Sequence, residues 1–260
     1  MIKLIATDMD GTLLNAKGEL PKDFYDVFKA LKERGIQFVV ASGRQYATLK
    51  RQFGLFSKDM LFIAENGSLV MEGKKELACH PLDKKIAREL IKLGQSLDQV
   101  HVVLCMKQGA YIERGPDAFI KEVGKYYVQH QVVPDLLAIE GDILKVTYFD
   151  FKGAEQNSWP IVAAYKDKVQ IAVAGTLWVD MMAKEVNKGR ALEDIQKRLH
   201  ISYEETAVFG DYLNDYEMLQ KAYYSYAMEN AHEDVKKIAR YGAKHHDENG
   251  VLDAIQTFLL

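Results

Sequence analysis

The chain has 260 residues, with 34 Lys or Arg against 37 Asp or Glu and a formal net charge of −3. With no basic surplus to neutralise a phosphate backbone, it is not composed as a nucleic-acid protein, although a small basic pocket for one phosphate remains open. Hydrophobic residues make up 48%, which supports a substantial core and argues against disorder.

The length fits one large domain or two small ones. The opening stretch Met1-Ile2-Lys3-Leu4-Ile5-Ala6-Thr7-Asp8 is too short in apolar residues for a signal-peptide core. No apolar run approaches the roughly 18 residues of a membrane helix. Cys79 and Cys105 are too few for a disulfide framework and read as buried free thiols. The expectation is a soluble cytoplasmic protein.

In chain order, Leu4–Thr7 reads as a buried strand. Pro21–Arg34 reads as a helix, with Phe24, Val27, Phe28 and Leu31 on one face and Gly35 as its stop. A second strand over Ile36–Ala41 runs into Ser42-Gly43-Arg44. A helix over Gln45–Phe56 and a strand at Leu61–Ala64 follow. This alternation predicts a parallel sheet with crossover helices. Ligands in such sheets bind at the carboxyl ends of strands, so the polar segments after the first two strands should be neighbours.

The middle of the chain changes character. Helices over Asp83–Leu97, Pro116–Val128 and Ser158–Tyr165 alternate with strands at Val100–Met106, Ala110–Glu113, Ile143–Phe149, Val169–Val173 and Trp178–Met182. The short turns Lys107-Gln108-Gly109 and Ala174-Gly175-Thr176 make hairpins, hence an antiparallel sheet in an α+β module. The parallel pattern then resumes. It has helices at Gly189–Leu199, Asp215–Lys221, Glu233–Arg240 and Val251–Leu259, and strands at Thr206–Phe209 and Tyr224–Ala227. Ser202 and Glu205 have the spacing of a capping box and predict a short turn. The expected architecture is α/β, a Rossmann-like three-layer core over residues 1–82 and 184–260. An α+β cap over residues 83–183 is inserted into it.

The chemistry concentrates at strand ends. Asp8 and Asp10 follow the first strand, and side chains two apart in an extended chain face the same side. Two adjacent carboxylates disfavour each other's ionisation, and a divalent cation relieves this; Mg²⁺ favours oxygen ligands. Gly11 permits a sharp turn. Ser42 and Gly43, between a strand and a helix, suit an anion through a hydroxyl and exposed amides, or a serine cap. Arg44 fits either substrate contact or pairing with a carboxylate. Gly210-Asp211-Tyr212-Leu213-Asn214-Asp215 follows the apolar run Ala207-Val208-Phe209, and alone would read as a decorated helix start. Arg190 reads as surface, and His245-His246-Asp247 as a polar loop rather than a metal site. Tyr126, Tyr127, Trp159 and Trp178 read first as core aromatics.

Together, Asp8-Met9-Asp10-Gly11-Thr12, Ser42-Gly43-Arg44, Lys188-Gly189-Arg190 and Gly210-Asp211 through Asp215 resemble the four motifs of the haloacid dehalogenase-like hydrolases, in particular the Cof-type branch. The resemblance runs the length of the chain and implies a cap between the second and third motifs. It implies Asp8 as nucleophile forming an aspartyl-phosphate and Asp10 as general acid and base. It implies Mg²⁺ held by Asp8, the Asp10 backbone carbonyl and Asp211. Phosphate would be bound by the Met9 backbone, Ser42, Gly43, Lys188 and Asn214, with Asp215 orienting Lys188 or a metal-bound water. The implied activity is a Mg²⁺-dependent phosphatase for small phosphorylated metabolites, chiefly sugar phosphates, with no nucleic-acid or membrane partner and a monomeric or weakly associated state. A sugar-phosphate mutase or phosphotransferase, and a non-catalytic binder of phosphorylated metabolites, are the alternatives. The segment Gly175–Met182 and the turn Lys107–Gly109 are candidate cap walls.

Overall fold

The computed structural model describes residues 1–259, folded around two sheets. The first runs through β1 (Leu4–Thr7), β2 (Gln37–Ala41), β3 (Leu61–Ala64), β4 (Leu69–Glu72) and β5 (Lys75–Cys79). The second takes β6 (Val100–Met106), β7 (Gly109–Ile112), β8 (His130–Val132), β9 (Ile143–Asp150), β10 (Val169–Val173) and β11 (Trp178–Ala183). The chain then returns to the first sheet with β12 (Thr206–Gly210), β13 (Tyr224–Met228) and β14 (Tyr241–Ala243). The helices are α1 (Phe24–Glu33), α2 (Tyr46–Phe53), α3 (Lys84–Ser96), α4 (Asp117–Tyr126), α5 (Trp159–Val162), α6 (Lys188–Leu199), α7 (Tyr216–Leu219), α8 (Glu233–Ile238) and α9 (Gly250–Leu259).

The first sheet has the order β14-β13-β12-β1-β2-β3-β4-β5. It is parallel from β14 to β3, and β4 and β5 join antiparallel. Strands β1, β3 and β12 are buried along their whole length and β2 from Phe38 onward, as a sheet packed on both faces requires. Helix α1 meets α9, and α6 meets α7. The apolar faces of these helices join the sheet in one core that includes Phe24, Phe28, Leu192 and Ile255.

The second sheet, order β10-β11-β9-β6-β7-β8, is antiparallel apart from the β7–β8 pair. Period-two alternation divides its faces. Along β6, Val102, Leu104 and Met106 enter one cluster while Val103 and Cys105 enter the other. Along β9, Val146 and Tyr148 belong to the first cluster. Lys145 and Thr147 therefore point to the opposite face, where Thr147 lies beside Asp180 of β11. That face covers the ends of β1 and β2.

Several expectations are corrected. The hairpin β4–β5 turns at Gly73, where φ is +52°; its charged second strand hid it from an apolar-pattern reading. The three-residue strands β8 and β14 lie at sheet edges and are mostly exposed, so they lack an apolar signal. The helix expected over Ser158–Tyr165 is a composite, a π turn at Ala154–Ser158, the short α5 and a 3₁₀ turn at Ala163–Tyr165. Pro160 near the start of α5 lacks the N–H that a longer regular helix would use. Trp159 is exposed rather than core, and Cys79 is only half-buried. The Ser202–Glu205 turn forms, with the Glu205 carboxylate accepting from Ser202 N at 3.1 Å.

Candidate active site

Strand β1 delivers Asp8 and Asp10 to its carboxyl end beside β12 and β2. Met9 between them is fully buried, and its carbonyl accepts from Leu14 N at 2.8 Å, which closes the turn. Gly11 makes that turn with φ +79°. A side chain there would also strike Asp211, since a Cβ would lie 2.3 Å from its Oδ2. Thr12 Oγ1 donates to Asp211 Oδ1 at 3.0 Å, so the first and fourth motifs are joined directly.

Helix α6 opens with Asn187 as its cap, whose side chain accepts from Arg190 N at 2.8 Å. Lys188 is thereby the first helical residue, fully buried beneath Asp8. Its Nζ donates to Asp8 Oδ1 at 2.6 Å and to Asp215 Oδ1 at 2.7 Å. The other Asp215 oxygen accepts from Asp211 N at 3.0 Å and Tyr212 N at 3.3 Å. Asp215 therefore holds both Lys188 and the loop carrying Asp211.

Electrostatics follow from burial. Asp8 is pushed up to about 7, chiefly by desolvation, with Asp215 and Asp10 adding to it and Lys188 opposing. Asp211 is also raised well above the usual carboxylate range, first by burial and then by Asp8 and Asp215. Burial acts to lower Lys188, but Asp215 and Asp8 outweigh it, so its ammonium is held charged. Carboxylate oxygens of Asp8, Asp211 and Asp215 lie within 4.8 Å of one another. An all-oxygen set with uncompensated charge fits a hard divalent cation. Both Asp215 oxygens are already engaged, which leaves Asp8 and Asp211 as the side chains free to hold one.

Asp10 points elsewhere. Its carboxylate takes a two-point contact from Arg44, Nε to Oδ2 at 2.7 Å and Nη2 to Oδ1. The Arg44 guanidinium lies over the Tyr126 ring, 5.3 Å from its centroid. Of the two readings of Arg44, the pairing with a carboxylate is present, and the residue also lines the cavity. Ser42 Oγ accepts from Arg44 N at 3.1 Å; helix α2 begins behind Gln45, so Ser42 is not its cap.

Sequence reasoning missed Glu65, Asn66, Lys145 and Asp180. Glu65 and Asn66 follow β3 with φ of +50° and +55°. Asn66 N donates to Ser42 O at 3.0 Å and Glu65 N to Arg44 O at 3.1 Å, tying this turn to the second motif. From the cap, Lys145 Nζ reaches Gly43 O at 2.7 Å, Asp180 Oδ2 at 2.9 Å and Glu65 Oε2 at 3.0 Å. Asn66 Nδ2 donates to Asp180 Oδ2 at 2.5 Å, and Asn66 Oδ1 accepts from Asn214 Nδ2 at 3.1 Å. Gly43 sits against this group, where a Cβ would meet the Asn66 amide at 3.3 Å. The signal was available: Glu65-Asn66-Gly67 ends a parallel strand, as Ser42-Gly43 and Gly210-Asp211 do.

These groups surround a cavity of about 240 Å³. Asp8, Asp10, Ser42, Gly43, Asp211 and Asn214 line it from the core. Lys188 and Asp215 lie below its floor. The cap supplies Tyr126, Tyr127, Trp178 and the segment Ala174–Leu177, among others. Part of the Gly175–Met182 wall is thus on the cavity. The Lys107–Gly109 turn is not, because Lys107 pairs with Glu76 of β5 at 2.9 Å instead. Arg190 is at the surface near Glu193 and Asp194. The His245–Asp247 loop ties to the first motif, with His246 Nδ1 against Leu14 O at 2.8 Å and Asp247 Oδ1 accepting from Ala16 N at 2.7 Å.

A parallel sheet with acidic groups at its strand ends, under an inserted cap, defines a capped phosphoryl-transfer hydrolase class. The family model of the haloacid dehalogenase-like hydrolases matches residues 5–255, and the chain belongs to that family, within its Cof-type phosphatases. It is 32% identical to 5-amino-6-(5-phospho-D-ribitylamino)uracil phosphatase YbjI of Escherichia coli, over 99% of this chain and 96% of that protein. It is 26% identical to phosphatase YwpJ of Bacillus subtilis, over 99% and 100% of the two chains. The crystal structure of SMU.1108c from Streptococcus mutans superposes with a TM-score of 0.93 at 32% identity, covering 100% and 99%. The chain is accordingly an enzyme, a phosphatase of this family.

Proposed function

We propose that this protein is a Mg²⁺-dependent phosphatase for small phosphorylated metabolites, sugar phosphates above all, acting through an aspartyl-phosphate on Asp8. The observation that carries the reading is the Asp8–Lys188 contact of 2.6 Å at the base of the capped cavity. A buried carboxylate beside a fixed ammonium is positioned as a nucleophile, with the cation offsetting its charge as an anionic phosphate approaches. The relative YbjI is named for a phosphorylated ribityl compound, which agrees with a polyol phosphate as substrate.

In this reading Asp8 Oδ2 attacks phosphorus, and the ester oxygen leaves with a proton from Asp10. Asp10 then takes a proton from the water that hydrolyses the aspartyl-phosphate. Arg44 orients the Asp10 carboxylate, and one of its two contacts gives way when that oxygen carries the proton. Lys188, the hydroxyl of Ser42, the amides of Met9 and Gly43 and the side chain of Asn214 hold the phosphoryl oxygens. Asp8, Asp211 and the Asp10 carbonyl would hold Mg²⁺, which supplies charge neutralisation and orientation of the phosphoryl group. The free thiols of Cys79 and Cys105 agree with action in the reducing cytoplasm. We take the working unit as a monomer or weak homo-oligomer.

The test is phosphate release from a panel of sugar phosphates, nucleotides and phosphorylated cofactors, with and without Mg²⁺, beside Asp8→Asn. Release that requires both Mg²⁺ and Asp8 is expected. Release that survives Asp8→Asn would overturn the assignment of the nucleophile, and none from folded wild type would overturn the activity.

A further inference from the structure

The cavity over Asp8 is short of available cations. Five carboxylates reach it: Asp8, Asp10 and Asp211 from the core, and Glu122 and Asp180 from the cap. Only two basic side chains line it among the described residues, Arg44 and Lys145. Arg44 is committed to Asp10 by two contacts. Lys145 donates to Gly43 O and Asp180 and is ion-paired with the buried Glu65 at 3.0 Å, so its charge is already divided between two carboxylates. Lys188, below the floor, is shared between Asp8 and Asp215.

Consider a substrate in this cavity with its reacting phosphate over Asp8. Lys188, with a divalent cation that Asp8 and Asp211 would hold, would offset that phosphate and the carboxylates around it. A second anionic group on the same substrate would meet the cap wall, where Lys145 is already paired with Asp180 and Glu65. It would also meet Glu122, one turn of α4 before Tyr126. The ion partner of Glu122, Lys125, is a solvent-exposed side chain at 2.5 Å and offsets its charge weakly. The rest of the cap wall carries no charge: Tyr126, Tyr127, Trp178 and Ala174–Leu177. Such a surface accepts a neutral polyol or a flat ring and leaves an anion unpaired in a partly desolvated space.

We infer that the cap selects monophosphates whose remaining part carries no negative charge, with Glu122 as the specificity-determining residue. The inference rests on the phosphatase reading for the position of the reacting phosphate. It excludes bisphosphates and phosphorylated carboxylic acids as good substrates and favours neutral or amine-bearing ones.

Glucose 6-phosphate, glucosamine 6-phosphate and 6-phosphogluconate are close in size and differ in the charge of the part remote from the phosphate. Their binding to the Asp8→Asn protein in Mg²⁺ is measured by calorimetry, where turnover does not intervene. Phosphate release by wild type is measured separately. The expected order has 6-phosphogluconate at least about tenfold weaker than glucose 6-phosphate, with glucosamine 6-phosphate no weaker than the neutral sugar. Glu122→Gln should narrow the gap for 6-phosphogluconate. Equal or tighter binding of 6-phosphogluconate, or no binding of any of the three, would overturn the inference. A gap unchanged in Glu122→Gln would remove Glu122 from it. The affinity order holding while wild type releases no phosphate would count against the phosphatase reading alone.

Discussion

Lys188 Nζ stands 2.6 Å from Asp8 Oδ1 and 2.7 Å from Asp215 Oδ1, with all three residues buried. One ammonium thus holds two carboxylates that would otherwise repel each other. Lys188→Met leaves both uncompensated in a low-dielectric site. The expected loss is roughly 3–5 kcal/mol of stability, together with near-complete loss of phosphate release. Urea unfolding and a phosphate assay check both. A variant as stable as wild type would contradict the role given to this contact.

The raised pKa of Asp8 makes stability depend on pH with a defined sign. A carboxyl protonated up to about 7 when folded and only to about 4 when unfolded binds more protons in the native state between those values. Its contribution is fully present below pH ~4 and is lost as pH rises to about 7. Added Mg²⁺ opposes that loss by favouring the ionised form. Thermal melts should therefore show a larger stabilisation by Mg²⁺ at pH 8 than at pH 5. An equal shift at both would be the contrary result.

Arg44 holds Asp10 by two contacts from one planar group, which a lysine cannot reproduce. Arg44→Lys should lower kcat by about 10- to 100-fold, a part of the roughly 10²–10⁴-fold that general acid–base catalysis contributes. The KM for a small substrate should change much less. A variant affected only in KM would place Arg44 in substrate binding instead.

Gly11→Ala combines two faults, a φ of +79° and a methyl 2.3 Å from Asp211 Oδ2. The backbone alone costs about 1–2 kcal/mol. Displacement of Asp211 should also raise the Mg²⁺ concentration needed for half-maximal activity by tenfold or so. An unchanged Mg²⁺ requirement would dissociate Asp211 from metal binding.

Lys145 ties the cap to the core through Gly43 O and Glu65. Lys145→Met strands Glu65 and Asp180, both buried, and should destabilise by roughly 3–5 kcal/mol. Glu65 is already raised above the ordinary range by burial, with Lys145 as the main opposing influence. Adding Glu65→Gln should recover part of the loss. No recovery in the double variant would show that the two side chains act independently.

Much of this was legible in the sequence because burial and chemistry leave patterns there. The strands β1, β3 and β12 are uninterrupted apolar runs, as strands inside a parallel sheet must be, and each delivers a polar segment to one end of the sheet. Asp8, Asp10, Lys188 and Asp211 stood out through their spacing after such runs. Lys145 and Asp180 did not, because each sits singly in an apolar strand of the cap. What makes them part of the site is the face of β9 and β11 they occupy and the cap's placement over β2, a relation between distant segments. Glu65 and Asn66 are intermediate: their place at the end of β3 was visible and Asn66-Gly67 favours positive φ, but the positive φ of Glu65, on which its inward direction depends, is announced by nothing in its residue type.

The aspartyl-phosphate on Asp8 is tested by quenching a reaction with excess substrate in acid and locating phosphate by peptide mass spectrometry. A phosphoryl group on Asp8 is expected, in a Mg²⁺-dependent amount that increases when Asp10 is replaced by Asn and a reactive aryl phosphate is the donor. Product formation with Asp8 never phosphorylated would contradict it.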